Sequence, residues 1–139
     1  MPVVTFTVPG DPTGKGRPRF TKNGRPYTPA KTAAYEDYVK MAYMEYANGY
    51  RFGDDVCLDA RVLAYYSIPK SVSKKKREQM LKHTIRPAKK PDNDNIIKII
   101  FDSLNKIAYH DDAQIVDCQI RKFYAEQPRV VITITEAST

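Results

Sequence analysis

The segment at residues 89–107, KKPDNDNIIKIIFDSLNKI, joins two closely spaced carboxylates to a strong helical repeat. At 100° per residue, its apolar side chains share one broad face: Ile96, Ile97, Ile100, Phe101, Leu104 and Ile107. Polar side chains occupy a narrow arc on the other face: Asp94, Lys98, Asp102 and Asn105. A helix from about Asp94 to Ile107 must bury one face against a second layer of structure, so the sequence predicts a packed domain around it.

Elements of both kinds are predicted before this helix. Val3 to Val8 alternates like a strand, and residues 30–47 carry apolar residues at helical spacing. The tyrosines of that helix are predicted to serve the core and interfaces rather than to stack on bases. Val56 to Ile68 reads as a long strand, and Ser71 or Ser73 caps a short basic helix, KKKREQMLK.

Two strands are predicted after the helix. Residues 113–124 alternate with Val116, Cys118 and Ile120 inward, and Arg129 to Thr135 is expected to pair with them as a hairpin. The element order is β-α-β-α-α-β-β. The predicted fold class is therefore α+β, a mixed sheet packed by helices, with residues 1–139 forming a single domain.

Composition narrows the class of protein. No apolar run approaches the roughly 20 residues of a membrane span, and the N-terminus shows no signal peptide, so we expect a cytoplasmic protein. The two cysteines, Cys57 and Cys118, lie in apolar segments. We expect them to be buried, reduced thiols rather than a disulfide or metal ligands.

Charge is distributed unevenly around a formal net value of +7. Residues 15–31 carry basic side chains and no acidic ones, and residues 70–90 carry nine basic residues against Glu78 alone. Basic flanks around an acidic centre are typical of a protein that grips a polyanion while holding metal ions against it. The predicted DNA contacts are Lys15, Arg17, Arg19, Lys74, Lys75, Lys76, Lys89 and Lys90.

The acidic centre predicts a metal site. Two carboxylates about 4 Å apart repel by roughly 4 kcal/mol at an effective dielectric near 20. One of Asp92 and Asp94 could be an ordinary helix cap, but a cap uses a single carboxylate. If Asp112 converges on them from the edge of the following strand, the three form a hard oxygen site that suits Mg²⁺ or Mn²⁺.

The choice of Asp112 over Asp111 rests on strand parity, because Asp112 shares the parity of the inward Val116 and Cys118. Asp111 is a secondary candidate. Lys98 could steady the phosphate or assist a water, or simply form an ion pair on the helix. Asp102 is another secondary candidate, as a peripheral ligand, although a pairing with Lys98 or Lys106 is the favoured interpretation. His110 is interpreted as a bystander rather than a base.

The motifs KPDNDNIIKIIFDSLN, AYHDDAQIV and QIRKFY resemble the RusA-type Holliday junction resolvases, as does the early basic stretch GKGRPR. The resemblance implies metal-binding catalytic positions at Asp92, Asp94 and Asp112, an essential Lys98, and a homodimer that makes paired cuts in four-way DNA junctions. Pro91 stands where some members carry Arg, so Lys89 or Lys90 would supply that phosphate contact.

We therefore predict a Mg²⁺-dependent endodeoxyribonuclease, with Mn²⁺ as a substitute, that resolves four-way junctions in recombination and repair. A less selective nuclease of branched DNA is one alternative. A non-catalytic DNA-binding protein, whose acidic residues only cap a helix and balance charge, is another. A glycosyltransferase using Asp-X-Asp fits poorly because the chain is short and the basic segments would have no use.

Overall fold

The computed structural model describes residues 2–138. Its elements follow the predicted order, with a small hairpin and a 3-10 turn added. The strands are β1 (Val3–Pro9), β2 (Arg19–Phe20), β3 (Pro26–Tyr27), β4 (Leu58–Ser67), β5 (Ile115–Ala125) and β6 (Arg129–Glu136). The helices are α1 (Ala30–Ala47), α2 (Lys74–Leu81), α3 (Asn93–Ser103) and a 3-10 helix at Asp112–Gln114. The α+β class with a mixed sheet is confirmed.

The four-stranded sheet has the order β1-β6-β4-β5. Strand β6 is antiparallel to both β1 and β4, whereas β5 runs parallel to β4 at the edge. The predicted hairpin between β5 and β6 is therefore wrong. The physical reason is composition. In β6, Val130, Ile132 and Ile134 are buried and the alternate residues are half-buried, which suits an internal strand, while the polar β5 tolerates an edge.

One face of this sheet carries the core. Alternate residues of β1 and β4 are buried as predicted, and Phe6 meets Tyr43 of α1 edge to face at 5.4 Å between ring centroids. Helix α1 packs on β1 and on α3. Ile96 and Ile100 of α3 join the same core, together with Ile99, which the predicted face omitted.

The helices end close to the predicted positions, with one exception. Helix α1 matches residues 30–47, and Ser73 caps α2 by accepting a hydrogen bond from the N–H of Lys76 at 3.2 Å. Helix α3 stops at Ser103, four residues before the predicted Ile107. In the part of the chain that the structure describes, no helix has the length and apolarity to span a membrane.

The first half of β5 is more exposed than predicted. Val116 and Cys118, both expected inward, are exposed, and so is Cys57. Both thiols are free, as expected, but neither is buried. An edge strand has a neighbour on one side only, and residues 116–119 are all exposed, so alternation in this part of β5 does not indicate burial.

Candidate active site

The start of α3 presents its carboxylates without using them for capping. Asp92 occupies the N-cap position with extended backbone, but its side chain accepts no capping hydrogen bond. Asp94 follows in the first turn, where the helix dipole favours negative charge. Both residues are exposed. The capping alternative therefore accounts for the position of Asp92 but leaves both carboxylates available.

An open cleft of about 640 Å³ lies beside these carboxylates. We call it the Asp92 cleft; it is lined by Pro87, Ala88, Lys89, Lys90, Asp92, Asn93, Asp94 and Lys122. Two acidic and three basic side chains thus share one concave surface. This places Lys89 and Lys90, predicted as phosphate contacts, next to the predicted metal ligands.

Lys122 is a member of this cleft that the sequence did not single out. It belongs to β5 in register with Ala64 of β4, on the helix side of the sheet, and its Nζ donates a 2.6 Å hydrogen bond to the carbonyl oxygen of Lys89. Burial lowers the pKa of Lys122, and the charge of Asp92 partly opposes this. The sequence offered one signal for this position: Lys122 and Tyr124 are two residues apart on a strand and therefore share a face.

A second concavity, of about 600 Å³, adjoins the first across Lys90 and Pro91. We call it the basic groove, because Lys15, Arg17 and Arg19 line it together with Lys31 and Lys90. It forms where the loop before α1 lies against the start of α3. The predicted basic contacts of the N-terminal segment therefore lie next to the acidic start of α3.

Close backbone packing holds this loop in place. A Cβ at Gly14 would lie 3.0 Å from the Cβ of Pro91 and 3.1 Å from that of Asn95, so only glycine fits without movement. The N–H of Lys15 donates to the carbonyl oxygen of Asn95 at 3.1 Å. The Lys15 ammonium then reaches Glu36 of α1 at 3.1 Å and Asp102 of α3 at 3.8 Å.

The other candidate carboxylates lie near the C-terminal end of α3. The backbone N–H of Asp112 donates to the side-chain oxygen of Asn105 at 2.8 Å, which draws the following loop onto the polar face of α3. Burial raises the pKa of Asp112, and so do the hydrogen bonds and like charges of Asp111 and Asp102. We call Asp102, Asp111 and Asp112 the carboxylate cluster.

Gln114 secures the loop that carries this cluster. Its side-chain oxygen accepts hydrogen bonds from the N–H groups of His110 and Asp111, and its amide donates to the carbonyl oxygens of Gly53 and Val56. Asp112 lies in the 3-10 helix and not on β5, so the parity argument that selected it does not hold. The contact that draws Asp112 toward α3 is the one with Asn105.

Two lysines approach Asp102. Lys98 approaches Asp102 at 3.9 Å, as interpreted from the sequence, and Lys15 approaches the same carboxylate. Lys106 instead lies 3.0 Å from Nδ1 of His110, which is exposed. The side chain of Lys98 is 62% exposed, so its ammonium is accessible to a ligand.

The predicted ligand set is not gathered at one point. Asp94 and Asp102 are two helical turns apart, about 12 Å along the axis, and Asp112 lies with Asp102. Among residues 2–138, no three His, Cys, Asp or Glu side chains are arranged to hold a metal ion. The carboxylate cluster nonetheless fits a hard divalent cation in ligand type, and its mutual repulsion is what such a cation would offset.

Known proteins similar to this chain identify its family. The family model for the endodeoxyribonuclease RusA matches residues 9–135, a range that includes both clefts, α3 and the loop of Asp112. The chain is also similar to the uncharacterized protein YqaN of Bacillus subtilis (strain 168), with 41% identity over 143 residues that cover 99% of each protein. This chain belongs to the RusA endodeoxyribonuclease family.

Proposed function

We propose that the protein is a divalent-metal-dependent endonuclease that cuts four-way DNA junctions. Family membership supports cleavage of DNA. The observation that carries the finer proposal is the polar face of α3, where Asp94 and Asp102 lie on either side of Lys98, next to the basic groove and the Asp92 cleft. Such a face can bring a phosphodiester against carboxylates while cations on both sides hold the backbone.

The proposed cation ligands are Asp92 and Asp94 at the start of α3 and Asp112 near its other end, where Asp102 and Asp111 are the neighbouring carboxylates. When bound, Mg²⁺ or Mn²⁺ would polarise the phosphodiester, lower the pKa of an attacking water and stabilise the leaving oxygen. The raised pKa of Asp112 supports this proposal, because like charges crowd that carboxylate and a cation would relieve the crowding. Lys98, whose side chain is mostly exposed, is proposed to contact the scissile phosphate.

The DNA backbone is proposed to lie along the basic groove and the Asp92 cleft. Lys15 is tied to two carboxylates, so its role is to fix the loop, while Arg17 and Arg19 are exposed and free to meet phosphates. Lys89 and Lys90 would take the place of the arginine that Pro91 replaces. Lys74, Lys75 and Lys76 form the exposed first turn of α2 and are proposed as outer contacts.

A homodimer is proposed because a four-way junction can adopt two-fold symmetry and a two-fold dimer presents two matching sites. Strand β4 is hydrogen-bonded on both sides, so it offers no free edge. The outer face of α1 is the better interface, since it exposes Tyr38, Met41, Met44 and Tyr46. Met41→Glu is expected to shift the sedimentation of the protein from dimer to monomer.

The test compares cleavage of a four-way junction, a fork and a linear duplex, each with and without Mg²⁺. We expect junction cleavage only with the metal, and equal cutting of linear duplex would reduce the assignment to a general nuclease. Asp94→Asn and Asp112→Asn should retain junction binding and lose cleavage. Asp117→Asn is the matched control, because it removes an exposed carboxylate from β5.

A metal titration separates this proposal from a non-catalytic DNA-binding protein. Mg²⁺ and Mn²⁺ should raise the melting temperature of the wild type and do so less for Asp112→Asn. If neither ion changes the melting temperature nor supports strand scission, the non-catalytic alternative holds and the acidic residues serve only the charge balance of α3.

A further inference from the structure

The sheet face opposite α1 and α3 carries three arginines stacked over two aromatic rings. Tyr65 of β4 and Phe123 of β5 are register partners whose rings stack at 5.9 Å. The guanidinium carbons of Arg86 and Arg121 lie 4.5 Å and 4.9 Å from the centroid of Phe123, and that of Arg129 lies 4.1 Å from the centroid of Tyr65. We call Arg86, Arg121 and Arg129 the arginine cluster.

The charges of this cluster are not neutralised within the fold. Across residues 2–138, no Asp or Glu forms a salt bridge with Arg86, Arg121 or Arg129. Arg61, on the same sheet face, provides the contrast. It pairs with Asp59 at 2.8 Å, and that hydrogen bond and charge raise its pKa. The arginine cluster therefore leaves unneutralised positive charge on this sheet face, whereas the charge of Arg61 is paired with Asp59.

The arginines keep hydrogen-bond donors available although they lie over the rings. The contact with a ring involves the π face and uses none of the guanidinium N–H groups as donors to oxygen. Arg86 gives Nε to the carbonyl oxygen of Lys122, and Arg129 gives one nitrogen to that of Gln127, so each retains further donors. A phosphate oxygen is the acceptor that this edge geometry and charge suit best.

The cluster also borders the proposed DNA path. Arg121 and Lys122 are consecutive on the edge strand β5 and point to opposite faces, and Lys122 lines the Asp92 cleft. The basic helix α2 packs against the same strand. Positive charge thus continues around the β5 edge from the cleft to the opposite face of the sheet.

We propose that the arginine cluster binds the phosphodiester backbone of a duplex arm of branched DNA where that arm passes around the β5 edge. The inference rests on the proposed function, because it takes DNA as the ligand. A duplex suits the surface better than a single strand, because Phe123 is buried and both rings already carry guanidinium groups, so no ring is free to stack on a base.

The test measures binding of a four-way junction by fluorescence anisotropy in EDTA, between about 50 and 200 mM salt. The Arg86→Gln, Arg121→Gln, Arg129→Gln triple variant should bind more weakly, with a salt slope lower by about 0.9 for each lost phosphate contact. Arg61→Gln is the matched control and should keep the wild-type slope, because its charge is already paired with Asp59.

Packing is separated from charge by replacing the same three arginines with lysine, which keeps the charge and loses the planar stacking group. The triple lysine variant should keep most of the wild-type dependence of junction affinity on salt concentration. Should the triple glutamine variant not fold, Arg121→Gln alone replaces it, with a slope change near one contact. A slope equal to that of the wild type would overturn the proposal, and so would an equal loss of affinity for single-stranded DNA.

This binding assay contains no metal, so its outcome does not depend on cleavage. If the wild type binds junctions and the glutamine variants bind equally well, this inference fails while the proposed nuclease function stands. If the wild type binds no DNA at all, the proposed function fails with it.

Discussion

The backbone N–H of Asp112 donates a 2.8 Å hydrogen bond to the side-chain oxygen of Asn105. Asn105 lies just beyond the end of α3, on the polar arc that begins with Asp94. The bond therefore joins a loop, whose path depends on tertiary structure, to the face of a helix. It is the contact through which Asp112 comes to lie beside Asp102.

Asn105→Ala should lower the cleavage rate more than it lowers junction affinity, because it releases a carboxylate without removing a basic contact. Loss of one hydrogen bond should cost about 1 kcal/mol of unfolding free energy. Single-turnover cleavage, anisotropy and thermal melting measure the three quantities. An unchanged cleavage rate in a folded variant would show that the position of Asp112 does not matter to the reaction.

Asp112→Asn should stabilise the protein at neutral pH although it abolishes cleavage. The pKa of Asp112 is raised by burial and by its acidic neighbours, so the folded state holds the proton more tightly than the unfolded state. The ionised group therefore costs stability above its raised folded pKa. The gain in melting temperature should be full at pH 7 and shrink as the pH falls toward about 4.

Asp117→Asn serves as the control for charge alone. The chain has a net charge of +7, so removing an exposed carboxylate adds to the excess of positive charge and should not stabilise it. If both variants raise the melting temperature equally at pH 7, the crowding of Asp112 is not the cause.

The local sequence pattern predicted most helices and strands, but it did not predict which strands pair with each other. In β1 and β4, alternation identified the buried Phe6 and Val62 because each strand has one face against the helices. The same alternation in β5 suggested that Val116 points inward, although 57% of it is exposed. Strand pairing was also misread, because a short connection near Gln127 is equally compatible with a hairpin and with a crossing over the end of β4.

The candidate site was predictable in its residue types and only partly in its geometry. The acidic start of α3 and the basic loop were evident in the sequence, and the ion pair of Lys98 with Asp102 follows from helical spacing. The contact of Asp112 with Asp102 was not evident in the sequence, because it depends on the path of the loop after α3. Lys122 was missed because its one local signal, a strand face shared with Tyr124, does not indicate that the start of α3 lies beside it.

Lys122→Met should weaken junction binding more than it lowers the melting temperature. Burial lowers the pKa of Lys122, so methionine removes the cost of burying the ammonium while filling similar space. It also removes the hydrogen bond to the carbonyl oxygen of Lys89, so the two effects on stability oppose each other. Lys82→Met, which removes an exposed lysine paired with Glu78, is the control. Equal affinities of the two variants would exclude Lys122 from the DNA path.

Gly14→Ala should displace the basic loop from α3. The added methyl group would meet the Cβ atoms of Pro91 and Asn95 at 3.0 Å and 3.1 Å, which is tighter than ordinary contact, so the loop or the start of α3 must give by a few tenths of an ångström. The hydrogen bond from the N–H of Lys15 to Asn95 would then lengthen, and the Lys15 ammonium would lose its place between Glu36 and Asp102. Overpacking of this kind costs about 1–3 kcal/mol of stability.

Gly14→Ala should also weaken DNA binding, whereas a substitution of the preceding Thr13 should not. Moving the loop separates the basic groove from the start of α3, so junction affinity should fall together with the melting temperature. Thr13→Ala, one residue earlier, removes only a hydroxyl that bonds within the loop to the carbonyl oxygen of Asp11, and should preserve both. Wild-type affinity in Gly14→Ala at a reduced melting temperature would mean that DNA binding does not depend on the contact between this loop and α3.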